Sequence, residues 1–297
     1  MIVVFGSINL DLIFHLADLP LPGQTLLTET ALVQPGGKGA NQAVAAASDG
    51  AHVVLAGAVG TDALASAAMA GLTEIDTSRV ARLPGVATGC ACVLVDAQGR
   101  NVIAVGAGAN LRADPAALED ALLGPGTTLV LQMETARPAI EALIRRARRA
   151  RARIILNLAP YGDLAEAALR SVDVLVVNEA EAAGLAARFG VAADAGSLQA
   201  TFGPAVIHTR GAAGAELATA EGLTQIPSHP VHAIDTTAAG DCFVGVLAAG
   251  LDRGLSLPAA CRRASVAAAL ACTRSGSQAS LPTAAEIDSA AGVRADT

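Results

Sequence analysis

Tryptophan is missing from the 297 residues, tyrosine occurs once, at Tyr161, and aromatics together make up 2%. Single-stranded nucleic acids are gripped by stacking bases on aromatic side chains, so that class of partner loses its usual platform. Positive charge is also short: 20 Lys and Arg stand against 27 Asp and Glu, a formal net charge of -7. Binding to a phosphate backbone calls for the opposite balance. The one basic run, from Arg145 to Arg153, follows the helical spacing of Ile140, Leu143, Ile144 and Ala147, and reads as the solvated face of a helix.

Cysteine is sparse as well. Cys90, Cys92, Cys242, Cys261 and Cys272 are an odd set without a CxxC pair, and read as small buried hydrophobes in a reducing compartment. His229 and His232 lack a nearby third metal ligand in the sequence. No apolar run is long enough to span a membrane. The opening MIVVFGSINLDLIF has no positive n-region and meets Asp11, unlike a signal peptide. The expectation is a cytoplasmic protein with neither nucleic acid nor membrane as partner.

What the chain has in plenty is alanine, valine and leucine. Hydrophobic residues reach 53% and charged ones 16%, a globular composition. Runs apolar on both faces predict strands at 2–5, 52–56, 128–131, 154–157, 174–177 and 205–208. Helical patterns at 40–48, 63–70, 137–150, 164–170 and 179–189 fall between them. That alternation predicts an α/β fold, a doubly wound and mostly parallel sheet with helices on both faces. Segments 12–16, 25–33, 89–96 and 101–105 read instead as hairpin strands, with Asp96-Ala97-Gln98-Gly99 as a turn. Too short to be a domain, they predict a small β lid from about 11–34 and 88–106 on a single domain covering 1–297.

Three segments carry chemistry. Gly36-Gly37-Lys38-Gly39-Ala40-Asn41 opens an Ala-rich helix. Its glycines let backbone N–H groups approach a polar ligand, and Asn41 adds a fork for paired hydroxyls. It lacks the spacing of a Walker A loop, and alone it reads equally as a tight strand-to-helix connection. Asp235-Thr236-Thr237-Ala238-Ala239-Gly240-Asp241 runs into an apolar helix at 243–251. Small residues at a helix N-terminus make an anion hole with Asp241 at its mouth, suited to a phosphoryl group in flight. Asn178-Glu179-Ala180-Glu181 follows a parallel strand, where oxygen and amide groups suit magnesium and nucleotide phosphates. A capped helix start explains Asn178 there and Glu181 in part. Asn9 and Asp11 after the first strand, and Glu134 after LVLQME, stand where a ligand's hydroxyls would meet them. No GxGxxG turn follows the first strand, which removes a dehydrogenase reading.

With GSINLDL (6–12), PLPGQT (20–25), GAGAN (106–110), NLAP (157–160), TRGAAG (209–214) and TRSGSQASLP (273–282), these segments resemble the ribokinase-like (PfkB) family of carbohydrate kinases. The likeness runs in order from Val3 to about Pro282. It implies ATP-dependent phosphorylation of a sugar hydroxyl, with D-ribose to D-ribose 5-phosphate as the leading reaction. Asp241 is then the general base, and the amides of Ala238, Ala239, Gly240 and Asp241 hold the transferring phosphate. Asn9, Asp11, Gly37, Lys38, Asn41 and Glu134 are implied to contact the sugar. Asn178 and Glu181 face Mg–ATP, Glu181 reaching Mg2+ through water, while Thr209, Gly211, Gly214 and Gly240 line the nucleotide cleft. A monovalent cation (K+) falls to Asp235, Thr237, Cys272, Gly276 and Ser280, and the lid is implied to make a homodimer. Val244, Arg210, Ala212 and Ala213 depart from the family pattern, as do the lid residues around Ala104 and Val105, taken to face the sugar. Another sugar, a sugar acid or a nucleoside is the rival acceptor, and a non-catalytic sugar or nucleotide sensor is the rival class.

Overall fold

The computed structural model describes residues 1–98 and 100–292, so Gly99 of the predicted turn lies outside the described residues. The chain begins with β1 (Ile2–Phe5), β2 (Asn9–His15), β3 (Ala31–Gly36), α1 (Lys38–Ser48), β4 (Val53–Gly60) and α2 (Leu64–Ala68). It continues through β5 (Asp76–Leu83), β6 (Gly89–Val95), β7 (Asn101–Gly106), β8 (Thr128–Leu131), α3 (Arg137–Ala150) and β9 (Arg153–Asn157). Next come α4 (Glu166–Leu169), β10 (Val174–Val177), α5 (Glu179–Phe189), α6 (Ala195–Phe202) and β11 (Ala205–Thr209). Last are β12 (Ala215–Thr219), β13 (Gly222–Ile226), α7 (Ala239–Asp252), α8 (Leu257–Ala271) and α9 (Ala284–Ala290).

Nine strands form the main sheet in the order β13-β12-β11-β10-β9-β8-β1-β4-β5. From β11 to β5 neighbours run parallel, and β12 and β13 close one edge antiparallel. Alternate residues of each strand feed two cores. Val4, Leu55, Val130 and Ile155 pack toward α1, α7 and α8, while Phe5, Leu131, Leu156 and Val206 pack toward α3, α5 and α6. With both faces covered, the strands need apolar residues throughout, which is why they are continuous runs. The order reverses beside β1, whose neighbours are β8 and β4, so the switch-point crevice opens at the carboxyl ends of β1 and β8.

A second sheet, ordered β3-β2-β6-β7, stands over that crevice. β2 pairs antiparallel with β3 and parallel with β6, so the two hairpins join side by side. The strand expected over 25–33 starts only at Ala31. Ahead of it Pro20 and Pro22 have no N–H for a ladder, and Gly23 turns at φ 83°. At the β6–β7 turn, Asp96 Oδ1 accepts from the amides of Gln98 and Arg100 at 3.0 and 2.9 Å. β5, the β12–β13 hairpin, α6, α8 and α9 were not expected. β5 is a mixed polar edge strand, DTSRVARL, and carries little of the apolar signal that marks the central strands.

Glycine sets how closely the layers meet. A Cβ on Gly39 would fall 2.6 Å from backbone atoms of Gly6 and Ser7, and one on Gly57 would fall 2.6 Å from Gly6 O. β4 therefore runs past the end of β1 to Gly60, and α1 starts directly on the sheet's carboxyl edge. In α7, a Cβ on Gly245 would lie 2.5 Å from Gln42 O, so α1 and α7 also touch backbone to backbone. At the far end of α1, buried Asp49 meets Arg253 and Arg263, each at 2.5 Å, which ties α1 to α7 and α8. Gly39→Ala has only backbone to push against. Its urea unfolding midpoint should fall by the equivalent of about 1–3 kcal/mol, and an unchanged midpoint would show that this crossing relaxes freely.

Candidate active site

Between the two sheets lies a cavity of about 340 Å³. Its floor comes from the carboxyl ends of β1, β8, β10 and β11, one wall from the starts of α1 and α7, and its cover from β2, β6 and β7. Asn9, Asp11, Gly37, Lys38, Asn41, Glu134, Asn178, Glu181, Thr209, Thr237, Ala238, Gly240 and Asp241 all border it. Residues nearly the whole chain apart are thus brought together by the switch point.

The turn into α1 depends on Gly37, which has a φ of 91° and where a Cβ would fall 2.7 Å from Asn9 N. Behind it, Glu134 Oε2 accepts from the Lys38 amide at 3.1 Å and from Ser7 Oγ at 2.5 Å. Asn9 is fixed by Asn110, which donates to its Oδ1 at 2.7 Å and accepts from the Ile8 amide at 2.9 Å. Burial works against the Lys38 ammonium, but Asp241, Glu134, Glu181 and Asp11 outweigh it and hold its pKa above the usual lysine value. Asp11 goes the other way. Burial, reinforced by Glu134 and Asp241 and opposed by Lys38, pushes its carboxyl up to about 7. Asp11 Oδ1 is buried with no partner among the described residues, a free acceptor in a site rich in charge.

α7 begins in an unusual way. Ala238 sits in the left-handed region at φ 58°, with no side-chain cap, a conformation that costs a non-glycine residue on the order of 1 kcal/mol. The amides of Ala239 and Cys242 bond to Thr236 O and Ala238 O. Those of Gly240 and Asp241 find no acceptor among the described residues, and both residues border the cavity. Two free amides at the positive end of a 14-residue helix make an anion site. Beside them Asp241 is buried, its Oδ2 accepting from Asn41 at 3.0 Å and its Oδ1 from Gln42 at 2.9 Å.

At the opposite wall, Asn178 and Glu181 form a reciprocal capping box at the start of α5. The capping explanation therefore accounts for both residues, yet both still face the cavity. Burial raises the Glu181 carboxyl, against the pull of the Asn178 amide and of Lys38. Among the described residues no three His, Cys, Asp or Glu side chains gather as a metal cage, His229 and His232 included. A divalent cation here would be held by one carboxylate, water and its ligand's phosphates, the donor set that magnesium accepts.

Some expected residues stand apart. Gly211 and Gly214 lie in the turn between β11 and β12, outside the cavity lining. Gly214 serves the fold, since a Cβ there would lie 2.2 Å from Ile226 O. Asp235 Oδ1 and Oδ2 accept from the amides of Thr237 and Gly276, each at 2.9 Å. Burial opposes ionisation of this carboxyl, but those bonds win and hold its pKa low. The Cys272 carbonyl accepts from both the Ile234 and Asp235 amides, at 2.7 and 3.2 Å, and so anchors the segment that carries Asp235. Ser280 Oγ donates to Ser277 O at 2.9 Å. Ala104 is a correction. It pairs with Cys92 and so shares the outer face, while Val105, paired with Ala91, lines the cavity.

The sequence reading passed over Ser7, Gln42, Asn110, Gln132 and Gln278. All lay within segments that had drawn attention, but nothing in their spacing told which of them reach Asp241, Glu134 or Asn9.

The pfkB family carbohydrate kinase model matches residues 1–284. Among curated proteins, the chain is 34% identical over 294 residues to a bifunctional ribokinase/ribose-5-phosphate isomerase A of Fructilactobacillus sanfranciscensis, covering 95% of this chain and 54% of that protein. It is 32% identical over 295 residues to a ribokinase of Haemophilus influenzae, covering 95% of each chain. Among solved structures, Arabidopsis thaliana ribokinase complexed with ribose and ATP superposes with a TM-score of 0.86 at 26% identity, covering 97% of each chain. On its fold, its site and these likenesses, the chain belongs to the pfkB family of carbohydrate kinases.

Proposed function

We propose that this protein transfers the γ-phosphoryl group of ATP to a sugar hydroxyl, with D-ribose as acceptor and D-ribose 5-phosphate as product. The observation that carries the reading is Asp241, a buried carboxylate beside two free helix-terminal amides at a cavity lined by charged side chains. A base next to an anion site is what in-line phosphoryl transfer to an alcohol needs. Asn9, Asp11, Lys38, Asn41, Glu134 and the Gly37 turn then hold the sugar's hydroxyls. Ala91, Val93, Ile103 and Val105 of the second sheet face the cavity as an apolar cover, and as a lid that excludes water they strengthen the interactions beneath.

In the reaction, Asp241 takes the proton of the 5-hydroxyl as its oxygen bonds to the γ-phosphorus. The bond from phosphorus to the β,γ-bridging oxygen breaks, and ADP leaves. The Gly240 and Asp241 amides, at the turn Ala238 and Ala239 begin, meet the charge on the equatorial oxygens. Asn178 and Thr209 border the nucleotide's side of the cavity, with Gly211 and Gly214 beyond it. Mg2+, when bound, neutralises phosphate charge, and Glu181 is the residue placed to hold its waters. For a monovalent cation, Asp235 supplies an ionised carboxylate with lone pairs to spare, bonded to the amides of Thr237 and Gly276, with Ser280 as a further ligand. Val33 and Val102, 57% and 54% exposed on the outer face of the second sheet, support a homodimer through that sheet, which light scattering would show as twice the mass of one chain.

ADP release from Mg–ATP should depend on added D-ribose and should drop when potassium is replaced by a large organic cation. Release with 2-deoxy-D-ribose or another polyol but not ribose would keep the kinase and change its substrate, and silence with every acceptor would favour a sensor. Asp241→Asn should lower turnover about 10²–10⁴-fold with sugar binding kept, and near-normal turnover would remove Asp241 as the base. Asp11, protonated below about 7, accepts a sugar hydroxyl best when ionised. On this reading kcat/KM for the sugar climbs toward neutral pH and levels above about 7, and in Asp11→Asn that acid limb disappears.

A further inference from the structure

Each oxygen of Asp241 heads a chain of two side-chain amides. Oδ1 accepts from Gln42 Nε2 at 2.9 Å, and Gln42 Oε1 accepts from Gln132 Nε2 at 2.7 Å. Oδ2 accepts from Asn41 Nδ2 at 3.0 Å, and Asn41 Oδ1 accepts from Gln278 Nε2 at 3.3 Å. The carboxylate dictates the direction. An ionised carboxylate only accepts, so the first amide must turn its NH2 inward, and its carbonyl then requires a donor from the second.

Both chains stop at an oxygen with nothing to bind. Gln132 Oε1 and Gln278 Oε1 are buried without a partner among the described residues. Gln132 Oε1 rests against Gly6 and Gln278 Oε1 against Gly71, where a Cβ would come within 2.0 and 1.9 Å. Unpaired buried carbonyls are rare because they are costly. Two of them at the corresponding ends of two chains that meet on one carboxylate need a reason other than stability. Four amides with their NH2 groups toward Asp241 supply one, since aligned hydrogen bonds polarise one another.

We propose that Gln132 and Gln278 are positioning residues for phosphoryl transfer, each locking the amide beside Asp241 with its NH2 turned inward. The carboxylate is then held in one orientation, one lone pair of each oxygen engaged and the rest left for the acceptor hydroxyl. Neither glutamine borders the cavity, so both act through Gln42 and Asn41. The proposal rests on Asp241 being the base.

The test is a double-mutant cycle on turnover, with Asp241→Asn measured alongside. Gln132→Met removes one orphan acceptor, Gln132 Oε1, and creates another, Gln42 Oε1, so the melting temperature should hold while the Gln42 amide is freed to turn. Turnover should fall on the order of tenfold with KM for the sugar within about twofold. In a Gln42→Met background the same change should cost nothing more, because its effect passes through Gln42. Gln278→Met, on the other branch, should lower turnover by itself and multiply with Gln132→Met. An equal loss from Gln132→Met with and without Gln42 would overturn the relay, and so would single variants at 132 and 278 that both turn over normally. If Gln42→Met does not fold, the two single variants and their double still decide. Should Asp241→Asn remain active, the base assignment itself fails, whatever the glutamines do.

Discussion

Two backbones meet at Gly6 and Gly39 at a distance that no side chain tolerates, and the site is assembled around that meeting. Because α1 can rest directly on the end of β1, its first turn enters the switch-point crevice instead of standing above it. Gly57 lets β4 pass the same point, and Gly245 lets α7 close on α1. Only with these approaches do Asn41 and Gln42 reach Asp241, some 200 residues further along the chain. The free amides of α7, the capping box of α5 and the glutamate after β8 then share one cavity.

Charge in that cavity is arranged unevenly. Lys38 lies among four carboxyls, so it remains a cation in spite of burial, whereas Asp11, the carboxyl raised to about 7, is poised to change state near neutrality. Asp241 is treated differently from both, its oxygens occupied by neutral amide donors. A single cation, an adjustable acid and an amide-clamped base divide the work of binding and chemistry among residues of similar type.

The main sheet could be read from the sequence because strands buried on both faces must be apolar throughout, as in IVVF and VLVV. The glycine-bearing turns could be read because few residues other than glycine make such approaches. β5 and β13 escaped notice since edge strands carry mixed side chains, and β12 mixes Glu and Thr with its apolar residues. Gln42, Gln132 and Gln278 escaped for another reason. An amide is an ordinary surface residue until something acceptor-only is set against it, and their partners lie 90 to 237 positions away. The two bonds to the Cys272 carbonyl were hidden for a related cause, as sequence does not reveal which amides a carbonyl engages.

β6 and β7 are two surfaces written on one ribbon. Ala91, Val93, Ile103 and Val105 look into the cavity, while the residues between them, Cys90, Cys92, Val102 and Ala104, look outward. Strand alternation separates the two sets by parity. Selection for a different acceptor can therefore act on the odd-numbered side chains without altering what the protein shows to its surroundings. The even-numbered ones can change their company without disturbing the chemistry, so ancestry can vary the two traits one residue at a time.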